Sequence, residues 1–472
     1  MFVQKRMLLR SIAAVLIAGG CWWLSFDLGL HWWWPIWLAP VPVLWVAQRL
    51  SGWGAFGAAF LAFLIGRCAW LPFLVSVLPV GPALIFTVLP AVCFALAVLP
   101  ARVFLRRRQP VLAALSFAAL WTTVEFLLAL FGRDGTIVSI AYTQSSFLPV
   151  VQVAALTGVA GISFVLCFVP ALVAARKWVW AAGVVMLVVG FGSVRYHMIG
   201  SGRLINSGSV TVGMVSLDER VYKNGIFPKS DGDDNGIIQR YVEEIGKLAQ
   251  AGARLVLLPE KAVPVRESAL DRFRGAMTGV ANQYGIRIIV GYTVISPKPM
   301  RNMAGLFEPG GVVKTYEKVH LFEGEAMEGF SHGSAPGVFG EEGLAICKDY
   351  DFEPYMREYG KAGVAVMYDP AWDFVRDGWW HSRIAIVGAV ANGYSLVRNA
   401  REGRMTISDD RGYVYYEASS EGKKLTTMIG SLELSAHRTL YARWGDWFGW
   451  LTVATAAVVL IYLAASRSLT RV

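Results

Sequence analysis

Charge is scarce in this chain of 472 residues: Asp, Glu, Lys and Arg make up 17% of it, against about 25% in ordinary soluble domains. Cysteine is scarcer still. Four of the five, Cys21, Cys68, Cys93 and Cys167, fall inside apolar stretches, which excludes a disulfide framework and makes them small membrane-buried side chains. There is no CxxC pair and no Cys/His cluster, and only six histidines are present, so neither a metal nor a cofactor is expected. The sequence also lacks the internal repeat or paired broken helices that a secondary transporter would show.

Apolar residues, in contrast, make up 55% of the chain. Runs near 7–26, 33–48, 53–72, 79–100, 110–131, 147–174, 178–195 and 447–465 approach the roughly 20 residues that span a bilayer core. They predict a polytopic membrane domain of about eight helices, the second being short. Pro90 and Pro170 fall inside such runs, where membrane helices tolerate them. Tryptophans such as Trp32, Trp33, Trp34, Trp444, Trp447 and Trp450 gather at run ends, as an interfacial belt requires.

Basic residues lie on every second loop: Lys5, Arg6 and Arg10, then Arg49, then Arg102 with Arg106, Arg107 and Arg108, then Arg176 and Lys177, and last Arg467 and Arg471. The positive-inside rule therefore predicts cytoplasmic termini and an external long segment between the seventh and eighth runs. The net charge of +10 reflects this topology and affinity for anionic lipid, and no nucleic-acid partner is expected. The stretch Lys5 to Cys21 imitates a lipoprotein signal peptide. Because the apolar run continues through Trp22, Trp23 and Leu24, a retained first helix is expected.

A composition shift near Ser201-Gly202 divides the chain into a membrane domain (1–202, seven helices), a mixed domain (203–440) and a terminal membrane helix (441–472). In the mixed domain, strands are expected at 210–215, 254–258, 286–292, 343–347, 363–367, 395–398 and 404–408. Helices are expected at 236–250, 267–284, 353–360 and 379–393. This alternation predicts an α/β class. Lys229–Gly236 reads as a surface loop; it resembles a calcium loop but lacks the required terminal glutamate.

Three residues of this domain suggest chemistry. Glu260 ends the apolar stretch Leu255-Val-Leu-Leu-Pro-Glu260, Lys318 lies in a turn-rich segment, and Cys347 ends Gly343-Leu-Ala-Ile-Cys347. A carboxylate, an ammonium and a thiol can serve as base, oxyanion stabiliser and nucleophile of an acyl transfer. Taken singly, the cysteine could be packing, the glutamate a solvated turn residue and the lysine a surface cation.

Their order and contexts, Pro259-Glu260, Tyr316-x-Lys318-x-His320-Leu321 with Gly324-Glu325, and Ile346-Cys347, resemble the nitrilase, or carbon-nitrogen hydrolase, superfamily. Its membrane-embedded branch, the apolipoprotein N-acyltransferases, is similar over nearly the whole chain. The likeness extends to Trp121-x-x-x-Glu125-Phe126, Ala141-Tyr-Thr-Gln144, Thr157-Gly158-x-x-Gly161, Asp369-Pro-Ala-Trp372 and Leu396-Val-Arg398-Asn399.

The resemblance implies an extracytoplasmic four-layer α-β-β-α sandwich in a bacterial inner-membrane enzyme. It implies Glu260 as general base, Lys318 as oxyanion donor, Cys347 as thioester-forming nucleophile and Glu325 as supporting carboxylate. The acyl donor would be a phospholipid and the acceptor the α-amino group of an apolipoprotein's diacylglyceryl-cysteine. Two departures stand out. Glu325, in Glu323-Gly-Glu325, lies one residue closer to the lysine than the family spacing, and Cys347-Lys348-Asp349-Tyr350 replaces the usual Cys-Tyr-Glu. The second keeps open a paralogue that acylates another lipid-linked amine; a membrane-tethered amidase and a non-enzymatic scaffold are further alternatives. Trp372 and Trp379 are candidate substrate contacts, as is Glu125, whose mid-span carboxyl needs either a partner or a functional cavity.

Overall fold

The computed structural model describes residues 2–198, 204–217, 222–223, 227–228, 233–435 and 437–468. The chain forms two compact units, Met1–Ile199 with Trp444–Val472, and Gly200–Arg443.

In the first unit, six helices among the described residues are long and apolar enough to cross a membrane: Lys5–Phe26, Gly52–Val77, Val80–Arg106, Pro110–Phe131, Trp178–His197 and Trp447–Ser466. The other two apolar runs break up. The run near 33–48 becomes a 3-10 turn, Pro35–Trp37, and a short helix, Pro40–Ala47, because proline lacks an N–H and starts helices better than it continues them. The run near 147–174 becomes Leu148–Val151, Ala154–Thr157 and Val159–Ala174, with Gly158 at φ 65° between the last two, a left-handed geometry that suits glycine. Aromatic rings fill the core of this unit. Phe63 lies 4.8 Å from Trp22, 4.6 Å from Phe94 and 5.1 Å from Trp121 between ring centroids. Gly66 permits the packing, since a Cβ there would lie 2.2 Å from Trp22 Cβ; small residues commonly let membrane helices approach in this way.

The second unit contains two large sheets. The first has the order Leu425–Ser435, Leu204–Leu217, Leu255–Leu257, Arg287–Ser296, Arg301–Phe307 and Val313–Glu317, with Val263–Arg266 also pairing to Arg287–Ser296. The second runs Val414–Ser419, Arg404–Ser408, Ser395–Arg401, Val366–Trp372, Glu342–Leu344 and Gly337–Phe339. Strand alternation distributes side chains between layers. In Arg287–Ser296, Ile288, Val290 and Tyr292 pack with the helices Asp233–Gln250 and Leu270–Tyr284, whereas Ile289 joins the layer between the sheets. On the far side, Met367 and Leu396 pack against Met356 and Tyr359 of the helix Glu353–Ala362 and Ile386 and Ala389 of Gly378–Asn392. The result is the expected α-β-β-α sandwich.

Two local expectations change. Of the expected loop, Lys229–Gly232 lie outside the described residues, and the rest opens the helix Asp233–Gln250. The strand expected at 343–347 spans only Glu342–Leu344. Cys347 instead begins a 3-10 turn, Cys347–Asp351, with φ 47°.

Candidate active site

Glu260 follows the short strand Leu255–Leu257 and is 2% exposed. Its position depends on Gly291, where a Cβ would lie 2.3 Å from the Pro259 carbonyl oxygen. Lys318 immediately follows the strand Val313–Glu317, and Glu325 lies in the helix Glu323–Glu328. Lys318 Nζ donates to Glu260 Oε1 at 2.8 Å and to Glu325 Oε2 at 2.9 Å, all three side chains being buried. Burial works against the ammonium, but the two carboxylates outweigh it and hold the Lys318 pKa well above the ordinary lysine value.

Two further residues complete this cluster. Asn302 Nδ2 donates to Glu260 Oε1 at 2.6 Å and to Glu325 Oε1 at 2.7 Å. Lys261 Nζ approaches Glu325 Oε1 at 2.7 Å. Neighbours on an extended strand point to opposite faces, yet Glu260 and Lys261 both reach the cluster because Lys261 adopts φ 52°. Burial raises the Glu325 pKa, but Lys261 and Lys318 prevail and hold it well below the usual carboxylate range.

Cys347 is set by a different network. Its N–H donates to Asp369 Oδ1 at 2.8 Å, and its Sγ lies 3.5 Å from the Trp372 carbonyl oxygen. Burial raises its thiol pKa well above the ordinary value; Glu260 adds to this and Lys318 opposes it. The cysteine thus lies within the electrostatic reach of both predicted partners. Arg398, opposite Asp369 in the strand register, donates to Asp369 and to Asp373 Oδ1. Burial pushes Asp369 up to about 6, against the pull of Arg398. His381 Nδ1 lies 3.0 Å from Asp377 Oδ2. Asn399 ties the sheets together, donating to Val215 O at 3.0 Å and to Leu257 O at 2.6 Å.

The departure after the cysteine has a structural reason. Asp349 Oδ2 accepts from Ile346 N at 2.9 Å and from the Tyr316 hydroxyl at 2.7 Å, while its Oδ1 accepts from His320 N at 2.8 Å. The shorter acid anchors the turn that presents Cys347. Lys348 is buried, at 8% exposed, in the same turn.

Of the remaining predicted residues, one lies at the site and two lie elsewhere. Trp372 is at the site, with its carbonyl beside the thiol and its Nε1 donating to Glu402 Oε2 at 2.8 Å. Trp379 is buried in the helix Gly378–Asn392, with the Arg383 guanidinium 4.9 Å over its ring. Glu125 belongs to the first unit, where it accepts from Ser139 Oγ and Ile140 N, each at 2.9 Å, and from Ser163. Its carboxyl therefore caps the 3-10 helix Ile140–Gln144. Sequence reasoning missed Lys261 and Asn302: a left-handed turn brings in the first, and an unanticipated strand, Arg301–Phe307, the second.

A sandwich holding a buried glutamate–lysine pair near a cysteine on a strained turn defines a class, and the carbon-nitrogen hydrolase family matches residues 226–423. The N-terminal domain family of apolipoprotein N-acyltransferases matches residues 18–172. The chain is 25% identical to the apolipoprotein N-acyltransferase of Geobacter metallireducens, covering 90% of this chain and 89% of that protein. It is 23% identical to that of Haemophilus influenzae, covering 70% of this chain and 73% of that one. A solved carbon-nitrogen hydrolase from Helicobacter pylori G27 is 16% identical, with a TM-score of 0.42 over 51% of this chain and 94% of that one. The chain belongs to the apolipoprotein N-acyltransferase family of the nitrilase superfamily, and it is a membrane enzyme.

Proposed function

We propose that this enzyme moves an acyl chain from a phospholipid, through a thioester on Cys347, to the α-amino group of the diacylglyceryl-cysteine of an apolipoprotein. The observation that carries the chemistry is the buried Glu260–Lys318 pair at 2.8 Å, within electrostatic reach of a thiol that stays protonated at rest. Glu260 takes the thiol proton as Sγ attacks the ester carbonyl carbon. Lys318 stabilises the oxyanion. Collapse breaks the acyl C–O bond, and the proton on Glu260 passes to the departing lysophospholipid oxygen.

In the second half-reaction the acceptor amine attacks the thioester and gives its proton to Glu260. The amide forms, and the released thiolate recovers that proton. Glu325 and Asn302 keep Lys318 and Glu260 in register throughout. The basic-loop pattern supports cytoplasmic termini and a periplasmic catalytic domain in the bacterial inner membrane. The proposed domains are 1–202, 203–440 and 441–472.

Intact-protein mass spectrometry after incubation with phospholipid tests the reading. The expected adduct is one acyl chain, mapped to Cys347 and discharged to amide by a diacylglyceryl-cysteine peptide. Its persistence in Cys347→Ala overturns the nucleophile, and discharge only to free fatty acid would assign water as acceptor and make the protein an amidase.

A further inference from the structure

The first unit contains a cavity of about 440 Å³ whose walls include Trp45, Arg49, Leu105, Arg108, Arg176 and Lys177. None of these belongs to the catalytic constellation. Among the described residues of this unit the acidic ones are Asp27, Glu125, Asp134 and Asp446, and none lines the cavity. Among the described residues, none of the four cations has a carboxylate partner. Arg49 instead stacks its guanidinium 4.2 Å over the Trp45 ring.

Backbone geometry gives a second, independent observation. Arg108 and Arg176 have φ 57° and 61°, each just past a helix end. The two ends close in the same way: Arg108 N donates to Leu105 O and Gln109 N to Phe104 O, and Arg176 N to Val173 O and Lys177 N to Leu172 O. Glycine is the usual residue at such a left-handed position, and arginine there is strained. Of the five other non-glycine residues with positive φ among the described residues, Lys261 and Cys347 are in the catalytic site and Glu402 accepts from Trp372 beside it, whereas His31 and Val375 have no such place; strain tends to persist where function needs the side chain. The corner bearing Arg49 is also fixed, since Arg102 Nε donates to Ala47 O at 3.0 Å and to Leu50 O at 3.1 Å.

We infer that this cavity binds the phosphate-bearing headgroup of an anionic phospholipid. Four uncompensated cations in one cavity match that chemistry. Its place at the ends of bilayer-length helices, with Trp178 61% and Val179 82% exposed nearby, favours a lipid over free phosphate, because the acyl chains can lie along the apolar helices. On the orientation proposed above these turns are cytoplasmic, so the lipid comes from the inner leaflet.

Native mass spectrometry of the full-length, delipidated protein tests the inference, with phosphatidylglycerol, phosphatidylethanolamine and glycerol 3-phosphate as probes. Arg108→Gly with Arg176→Gly removes two cations and relieves both left-handed positions, so the thermal midpoint in detergent should hold or rise. Phosphatidylglycerol affinity should nevertheless fall about thirtyfold, as loss of roughly 1 kcal/mol for each of the two cations implies. The same substitutions at Arg6 and Arg10 should leave it unchanged. Unchanged phosphatidylglycerol binding in the Arg108/Arg176 double variant overturns the site. Equal binding of phosphatidylethanolamine overturns the anionic preference, and binding of glycerol 3-phosphate as tight as that of the lipid overturns the lipid assignment. Orientation is read separately by reporter labelling, so failure there leaves the binding result to stand or fall by itself.

Discussion

Asp349 holds the N–H of Ile346 at 2.9 Å, and through that bond it sets the turn on which Cys347 stands. The same carboxylate accepts from His320 N and the Tyr316 hydroxyl, so the segments flanking Lys318 and Cys347 share one anchor. Asp349→Ala should therefore misplace Cys347, the proposed nucleophile, relative to Lys318 and slow thioester formation by about 10²-fold, the typical cost of an ångström-scale misplacement. Single-turnover acylation measures this, and an unchanged rate would show that the turn is held by other contacts.

Glu260 should affect two readouts in opposite directions. If Glu260 is the general base proposed above, Glu260→Gln should cost about 10²–10⁴ in thioester formation. Burial is the main cause of the raised Cys347 pKa and the Glu260 charge the next, so the same variant should shift the pH midpoint of Cys347 alkylation downward. A midpoint that stays in place or moves up would separate Glu260 from the thiol.

Glu325 links stability to pH. Burial raises its pKa, but Lys261 and Lys318 hold it well below the ordinary value. A depressed carboxylate contributes stability that is present above its unfolded pKa, about 4.3, and is lost as pH falls toward the folded one. Glu325→Gln should cost about 3–5 kcal/mol at pH 7, as breaking a buried ion pair does, and less as the pH drops below about 4. Thermal unfolding in detergent across pH checks this; a gap that does not narrow in acid would refute the linkage.

Much of this was legible in the sequence, for identifiable reasons. Glu260 announced itself at the end of an apolar strand, Lys318 in a turn-rich segment, and Glu325 only through the Gly324-Glu325 context that carries the family resemblance; the structure joins all three directly. Lys261 was not legible, because strand alternation points it away and only its positive φ turns it back. Asn302 was missed because its strand, Arg301–Phe307, mixes polar with apolar residues. In the membrane unit, apolar runs identified six long helices but could not show that prolines and Gly158 divide the other two. Glu125 was visible as costly, yet its partners Ser139, Ile140 and Ser163 are 14 to 38 residues away in sequence.

Orientation is open to direct measurement. Asp271, with a fully exposed side chain in the second unit, should become labelled from the periplasmic side when replaced by cysteine in a background lacking the native cysteines other than Cys347, with Cys347 protected. Labelling only from the cytoplasm would reverse the proposed topology and take the site away from lipoproteins presented on the outer leaflet.

Lys318 separates the two half-reactions. Its ammonium, bound by Glu260 and Glu325, should stabilise the oxyanion, and removing one such donor typically costs about 10²–10³ in rate. Lys318→Met keeps most of the stem, so kcat should fall far more than phospholipid affinity. Because the variant also leaves two carboxylates facing each other without the lysine, its fold must be checked by thermal unfolding, and Lys318→Arg provides a charged comparison. If both variants remain folded, slow acylation in the methionine variant with partial recovery in the arginine variant supports the oxyanion role. Acyl-enzyme that forms at the normal rate but fails to discharge to the amine would instead assign Lys318 to the second half-reaction.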